Sequence, residues 1–461
     1  MQSVFDKFAP KRKRKPVAAG RAYFCRCGRP VFFRNSVCLA CRTPLGYEPH
    51  LRQVYPLAPG SDPDTWELAI ESAGAGKYRR CANLESQSAC NWLIEEREAA
   101  GNPRRFCIAC RLDRTIPDLS VPENGVLWGR LEGAKRRLVS SLLALHLPVD
   151  SRVDQDTQRG LAFDFLHSPA GGPRVLTGHA GGIITVNIEE ADDSARERIR
   201  EAMHEQYRTL LGHLRHEVGH YYWDRLIAGS PWLDDFRALF GDEQQDYAAA
   251  LQRNYQQGPM PGWEQRHVSA YASTHPWEDW AETWAHYLHM VDTLDTALSF
   301  GLDTRRLEME IDPFGRDVLF QPNDPGAKRF LSFLNAWIAL SAVLNELSRS
   351  MGQPDLYPFA LPRPAVAKLH FIHLVIAEQS TSVGWAPSPA PDAPSGQAVR
   401  LNLQMKRIGP NGPFQFAQIL RRAQPRQLQA SFFQARSIHT RQLQRGHMPR
   451  PQRHVAFLFH H

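Results

Sequence analysis

Eight cysteines, all before residue 111 and in two groups of four, constrain this chain more than any other feature. The first group is Cys25-x-Cys27 followed by Cys38-x-x-Cys41; the second is Cys81, Cys90 and then Cys107-x-x-Cys110. A close pair on a turn presents two thiolates to one ion, and a second pair completes a tetrahedron. Such a closed site has no open position, so it folds a segment too small for a core of its own. No apolar run follows the basic stretch Lys11-Arg12-Lys13-Arg14-Lys15, so no secretory leader is read and a cytoplasmic location is expected. In that compartment structural zinc is favoured over disulfides. The first group predicts a zinc ribbon, with redox chemistry as its competitor. The second, in which Cys81 and Cys90 lie farther apart, predicts zinc or buried free thiols.

A length of 461 residues allows two or three domains with at least one sizeable core. Hydrophobic content of 43% and charged content of 22% are those of an ordinary soluble protein, and no membrane partner is expected. The most apolar segment, 330–344, is interrupted by Ser332, Asn335 and Ser341 and reads as a core helix. The net charge of +7 is unevenly placed: residues 1–20 carry +5, residues 393–461 carry +11 without one acid, and 21–392 are left at −9. An acidic body weakens the nucleic-acid reading that a basic whole-chain balance would invite.

After Pro122 the pattern changes. Trp128, Leu131, Ala134, Leu138 and Leu142 recur at helical spacing along an Arg/Lys-rich face, predicting a linking helix at about 125–146. Two β-branched or aromatic runs, 160–166 and 182–188, predict strands. Ser194-x-x-Glu197 is a capping box, and the helix it opens is expected to continue through Met203, Leu210, Leu214 and Val218. Further helices are expected around 278–295, 328–349 and 365–377. From about 381 the chain is rich in Pro, Gln and Arg, predicting a largely disordered tail.

That long helix carries His216-Glu217-Val218-Gly219-His220. Residues i and i+4 of a helix project from nearly one face, so one zinc ion can bridge both imidazoles, with Glu217 placed to take a proton from a water on the metal. A third ligand and an open position are still needed. The solution with a Gly and a later His is excluded, because those positions hold Trp223 and Leu226. The other solution takes a Glu from a later helix, and 277–287 offers one. On its wheel Trp277, Trp280, Trp284, Tyr287 and Leu288 share an anchoring side, while Glu278, Glu282 and His289 share the other. Of two such carboxylates, one can bind zinc and the other can orient a ligating imidazole; alternatively, Glu278 merely complements the helix dipole after Pro276. His213 reads as a neighbour rather than a fourth ligand. His179, in a Gly-rich loop, is a candidate to line the cleft, and strand 182–188 to pair with an extended substrate.

His-Glu-x-Gly-His followed by Glu-x-x-Ala-Glu resembles the gluzincin metallopeptidases, especially those of the lethal-factor type. The resemblance implies that Glu278 is the ligand and Glu282 orients from behind it. It also implies that Tyr271, seven residues before Glu278, stabilises the oxyanion; a packed aromatic is the alternative. Over roughly 22–378 the chain resembles bacterial zinc-binding metallopeptidases with an N-terminal zinc-ribbon domain. The resemblance also rests on Thr115-Ile116-Pro117-Asp118-Leu119, Gly178-His179 and the run from His216 to Asp224.

The expected class is therefore α+β. A basic tail (1–20) precedes a double zinc-ribbon module with four cysteines per site (21–116), a zincin-like peptidase domain (117–380) with a helical C-terminal part, and the tail (381–461). The expected function is zinc-dependent peptide-bond hydrolysis with Glu217 as general base and Tyr271 assisting. One catalytic zinc is expected on His216, His220 and Glu278, with up to two structural zinc ions on the cysteines and a peptide or protein as substrate. The alternative is a non-catalytic adaptor whose ribbon binds protein or nucleic acid, for which Arg26, Arg29, Phe32, Phe33 and Arg34 are candidates. The retained Glu217 argues against it, since a structural zinc has no need of a base.

Overall fold

The computed structural model describes residues 20–69, 76–96, 105–169, 171–202, 205–307 and 309–382. The basic N-terminal stretch and the expected disordered tail lie outside the described residues, save for their inner ends. Short strands β1 (Tyr23–Phe24) and β2 (Pro30–Val31) form an antiparallel hairpin whose turn carries Cys25 and Cys27. Gly28 closes that turn at φ 79°, a left-handed conformation that a side chain would strain. Cys38 and Cys41 occupy a second turn, bracketed by a bridge between Val37 and Pro44.

A five-stranded antiparallel sheet follows in chain order: β3 (Leu45–Glu48), β4 (Gln53–Pro59), β5 (Trp66–Leu68), β6 (Lys77–Arg80) and β7 (Leu93–Glu95). A bridge from Tyr47 to Trp92 brings its two ends together, and the two buried rings stand 4.7 Å apart. The ribbon reading did not include this sheet. Its strands are short, and one of them reads Lys-Tyr-Arg-Arg, so no apolar alternation announces it.

A second sheet, ordered β10-β11-β9-β8, belongs to the following part of the chain. Its strands are β8 (Asp113–Thr115), β9 (Ala162–Leu166), β10 (Gly178–Ala180) and β11 (Ile183–Asn187). β9 and β11, parallel neighbours, are the two expected strands; β10 pairs antiparallel to β11 and forms the sheet's edge.

Helix α1 (Pro122–Ala144) is the expected linking helix, and much of its Arg/Lys-rich face is buried. Glu132, Lys135 and Arg136 are buried along with Trp128, Leu131 and Leu138. Lys135 is wholly buried and pairs with both Asp113 and Glu132. Arg136 donates to the Ser88 hydroxyl (2.6 Å) and carbonyl (2.7 Å). The face is charged because α1 packs against polar groups of the cysteine module, and burying unpaired charge is costly. One hydrophobic core runs from Tyr23 to Ile376 through it.

The expected helix through 194–218 is two helices. α2 (Asp193–Ala202) starts two residues earlier than the capping box implies, and Asp192 Oδ1 accepts from the Ala195 amide at 2.8 Å. α3 (Leu210–Leu226) begins afresh with its own cap, the Thr209 hydroxyl accepting from the Gly212 amide at 3.0 Å. After α4 (Leu233–Phe240) and α5 (Tyr247–Gln257), α6 (Pro276–Ser299) packs directly on α3. Close approach requires Gly219: a Cβ there would lie 3.0 Å from Ala281 Cα, and Trp280 Nε1 donates to Gly219 O at 2.8 Å. α7 (Ala327–Ser350) and α8 (Arg363–Ser382) complete the fold. Among the described residues α7 is the one helix long and apolar enough to cross a membrane, by length and composition alone. Its Phe330, Leu334, Trp337 and Leu340 are buried in the core, as the expectation for 330–344 requires.

Asp292 of α6 ties these parts together. It accepts from Arg137 of α1 (2.7 and 2.8 Å), from Arg215 of α3 (2.7 Å) and from Arg21 ahead of β1 (3.0 Å). Asp292→Ala strands buried guanidinium groups, so a stability loss of about 3–5 kcal/mol is expected. Urea unfolding followed by tryptophan fluorescence measures it; a midpoint equal to wild type would show that the hub contributes nothing.

Candidate metal centre

Helix α3 presents His216 and His220 on one face, and the first turn of α6 brings Glu278 across to them. Pro276 at the start of α6 and the His275 side chain, which accepts from the Trp277 amide at 3.1 Å, fix that turn. One ligand atom from each of His216, His220 and Glu278 lies within 4.8 Å of the others. His216 Nε2 is 3.0 Å from Glu278 Oε2 and 3.3 Å from His220 Nε2; His220 Nε2 is 3.7 Å from the same oxygen. Ligand bonds of about 2.0–2.1 Å in a tetrahedron make edges of about 3.3 Å, so the triangle fits a zinc-sized ion. Among the described residues buried Glu278 Oε2 has no hydrogen-bond donor, so it is the orphaned acceptor that a cation would satisfy.

The surroundings orient these groups. Glu282 Oε1 lies 2.7 Å from His216 Nδ1, and its other oxygen accepts from Ser269 Oγ at 2.6 Å. A proton on Nδ1 leaves the Nε2 lone pair facing the centre. The Tyr247 hydroxyl donates to Glu278 Oε1 at 2.6 Å, freeing Oε2 for an ion. Tyr247 was not foreseen; it opens α5, 31 residues from its partner, with no local pattern to mark it. Burial alone would raise the Glu278 carboxyl, yet the two imidazoles hold it well below its ordinary value.

Glu217 is buried beside the triangle, with Oε1 3.1 Å from His213 Nε2. Burial would raise its pKa, but the His213 hydrogen bond and the nearby imidazoles keep it below the usual value, and therefore ionised. His213 directs its ring nitrogens at Glu217 and Glu190 and is no member of the triangle. A cleft of about 360 Å³ opens over the centre. One wall is the β10 edge, including His179; the other includes Tyr247, Tyr271 and Trp277. The His179 ring stacks 6.3 Å from that of His220, with Nε2 accepting from the Gly182 amide at 3.0 Å. Tyr271 reaches the cleft from a single 3₁₀ turn, its ring 5.9 Å from that of His216.

The cysteines gather as two separate tetrads. Sulfur separations are 3.5 Å for Cys25–Cys41, 3.8 Å for Cys27–Cys38 and 3.6 Å for Cys90–Cys107. Disulfide bonds are far shorter, about 2.05 Å, whereas tetrahedral Zn–S bonds of about 2.3 Å give edges of about 3.8 Å. Cys81, Cys90, Cys107 and Cys110 are all buried; Cys27 and Cys41 are exposed. Of the ribbon residues weighed for an adaptor, Phe32 is exposed, but Phe33 packs on the core.

Residues 124–375 match the family model described as "Putative zinc-binding metallo-peptidase", and residues 22–121 match a zinc-ribbon domain model. Uncharacterised proteins of Mycobacterium tuberculosis and Mycobacterium bovis are 42% identical to this chain over 360 residues, covering 78% of it and 96% of each relative. No solved structure matches it significantly.

Proposed function

Because the chain belongs to the family described as "Putative zinc-binding metallo-peptidase", with a zinc ribbon before it, we propose that it is a gluzincin-type peptidase acting on peptide or protein substrates. The observation that carries this reading is the meeting of His216, His220 and an orphaned Glu278 oxygen beneath a cleft, with ionised Glu217 beside them. A zinc ion held there supplies a Lewis acid and lowers the pKa of water toward about 7. Glu217 takes the proton of the attacking water and passes it to the leaving amine. Tyr271, burial keeping its hydroxyl protonated, donates to the developing oxyanion. The outer edge of β10, which pairs with no further strand among the described residues, gives an extended chain a place to align.

Metal analysis tests the reading most cheaply. Three zinc ions per chain are expected, one of them chelator-labile with N/O ligands, and its removal should stop hydrolysis of dye-quenched casein. Two inert ions alone would favour the adaptor.

A further inference from the structure

Behind Glu217 lies a chain of polar contacts that zinc chemistry does not require. His213 stands one helical turn before Glu217 on the same face of α3. Its Nε2 is 3.1 Å from Glu217 Oε1, and its Nδ1 is 2.7 Å from Glu190 Oε2. Glu190 belongs to the 3₁₀ turn that follows β11 and is itself buried. It accepts from Arg208 at 3.1 Å and, through Oε1, from the Thr177 hydroxyl at 2.6 Å. That hydroxyl also accepts from the Asn187 amide at 3.1 Å, and Thr177 lines the cleft immediately before the edge strand β10.

We propose that Thr177, Arg208, Glu190 and His213 form a clamp that aims Glu217, with His213 as a positioning residue linking the substrate-binding edge to the general base. The inference rests on the peptidase reading above. Three features of the geometry support it. Each His213 ring nitrogen faces a carboxylate oxygen, so both bonds form only when the ring donates from both nitrogens. With Oε1 engaged by His213, Glu217 has Oε2 left to address water over the metal triangle. Thr177, finally, puts the far end of the clamp in the cleft wall, where an aligned substrate would press on it.

Burial alone would lower the His213 pKa, but Glu190 and then Glu217 carry it up to about 9, in keeping with a doubly donating ring. Glu190, which burial would raise, is instead drawn down to about 2 by His213, Arg208 and Thr177. The contacts of both ring nitrogens are already in place before any reaction begins, and such preorganised polar contacts need no rearrangement in the transition state. A group that acts only there lowers kcat and leaves KM unchanged.

Steady-state cleavage of dye-quenched casein by the zinc-loaded full chain tests the clamp. His213→Ala is expected to lower kcat by about 10–100-fold with KM and zinc content unchanged. Added imidazole should recover part of the loss, and His213→Gln, which can still donate to Glu217, should lie between wild type and Ala. Glu190→Gln supplies a second variant that leaves α3 untouched, and it should lower kcat in the same way. A His213→Ala enzyme with wild-type kcat would overturn the proposal. So would a loss that neither imidazole nor Gln relieves, because a purely structural defect behaves that way. Wild-type protein without zinc-dependent cleavage would remove the peptidase reading itself, whereas an active wild type with a silent His213 removes only the clamp.

Discussion

Glu217→Gln should keep its full zinc content and lose hydrolysis, with kcat falling by at least about 10²–10⁴-fold. The substitution preserves shape and the contact to His213, since a glutamine oxygen can accept the same hydrogen bond. It removes only the capacity to accept a proton from water. Because Glu217 stands outside the triangle of His216, His220 and Glu278, the metal should be unaffected. Metal content and casein cleavage measured on one preparation decide the matter; a pure Gln variant that still hydrolyses would sink the general-base assignment.

The second large effect separates two acids on one helix. Glu278→Ala removes the orphaned oxygen that completes the triangle and should abolish the labile zinc outright, leaving the cysteine-held metal in place. Glu282→Ala removes only the acceptor behind His216 and should weaken that zinc by roughly 10–100-fold. Competition with a chelator measures both. The opposite order would exchange the roles of the two residues.

The triangle of His216, His220 and Glu278 could be read in the chain because each of its parts carries a local mark, although the two helices lie far apart in sequence. His216 and His220 are one turn apart, and Glu278 stands in a first turn marked by Pro276 and flanked by tryptophans that must anchor it. Groups that act on the triangle from a distance left no such mark. Tyr247 and Glu190 reach their partners across 31 and 23 residues, and only the folded chain brings them close. The partners of the charged face of α1 went unmarked for a related reason. A run of Arg and Lys ordinarily meets water, and nothing nearby in sequence announces that Ser88 and Asp292 wait to receive Arg136 and Arg137. The single helix expected across 194–218 failed where Thr209 offered a fresh cap that outcompeted continuation.

The buried face of α1 bears on how this protein can be divided. One side of the helix answers to the second cysteine tetrad, where Glu132 Oε2 lies 3.7 Å from Cys110 Sγ; the other answers to α6, which carries Glu278, through Arg137 and Asp292. Cutting the chain between the cysteine module and the part that follows it would leave Arg136 facing a solvent-filled gap where Ser88 had been. The ribbon is therefore less an attachment than a wall of the part that carries the His216–His220–Glu278 triangle. Loss of its metal would be felt as slackness in α1, and through it in the helices that carry the imidazoles and carboxylates. Zinc scarcity would then silence the protein from two directions, by emptying the centre and by loosening its foundation.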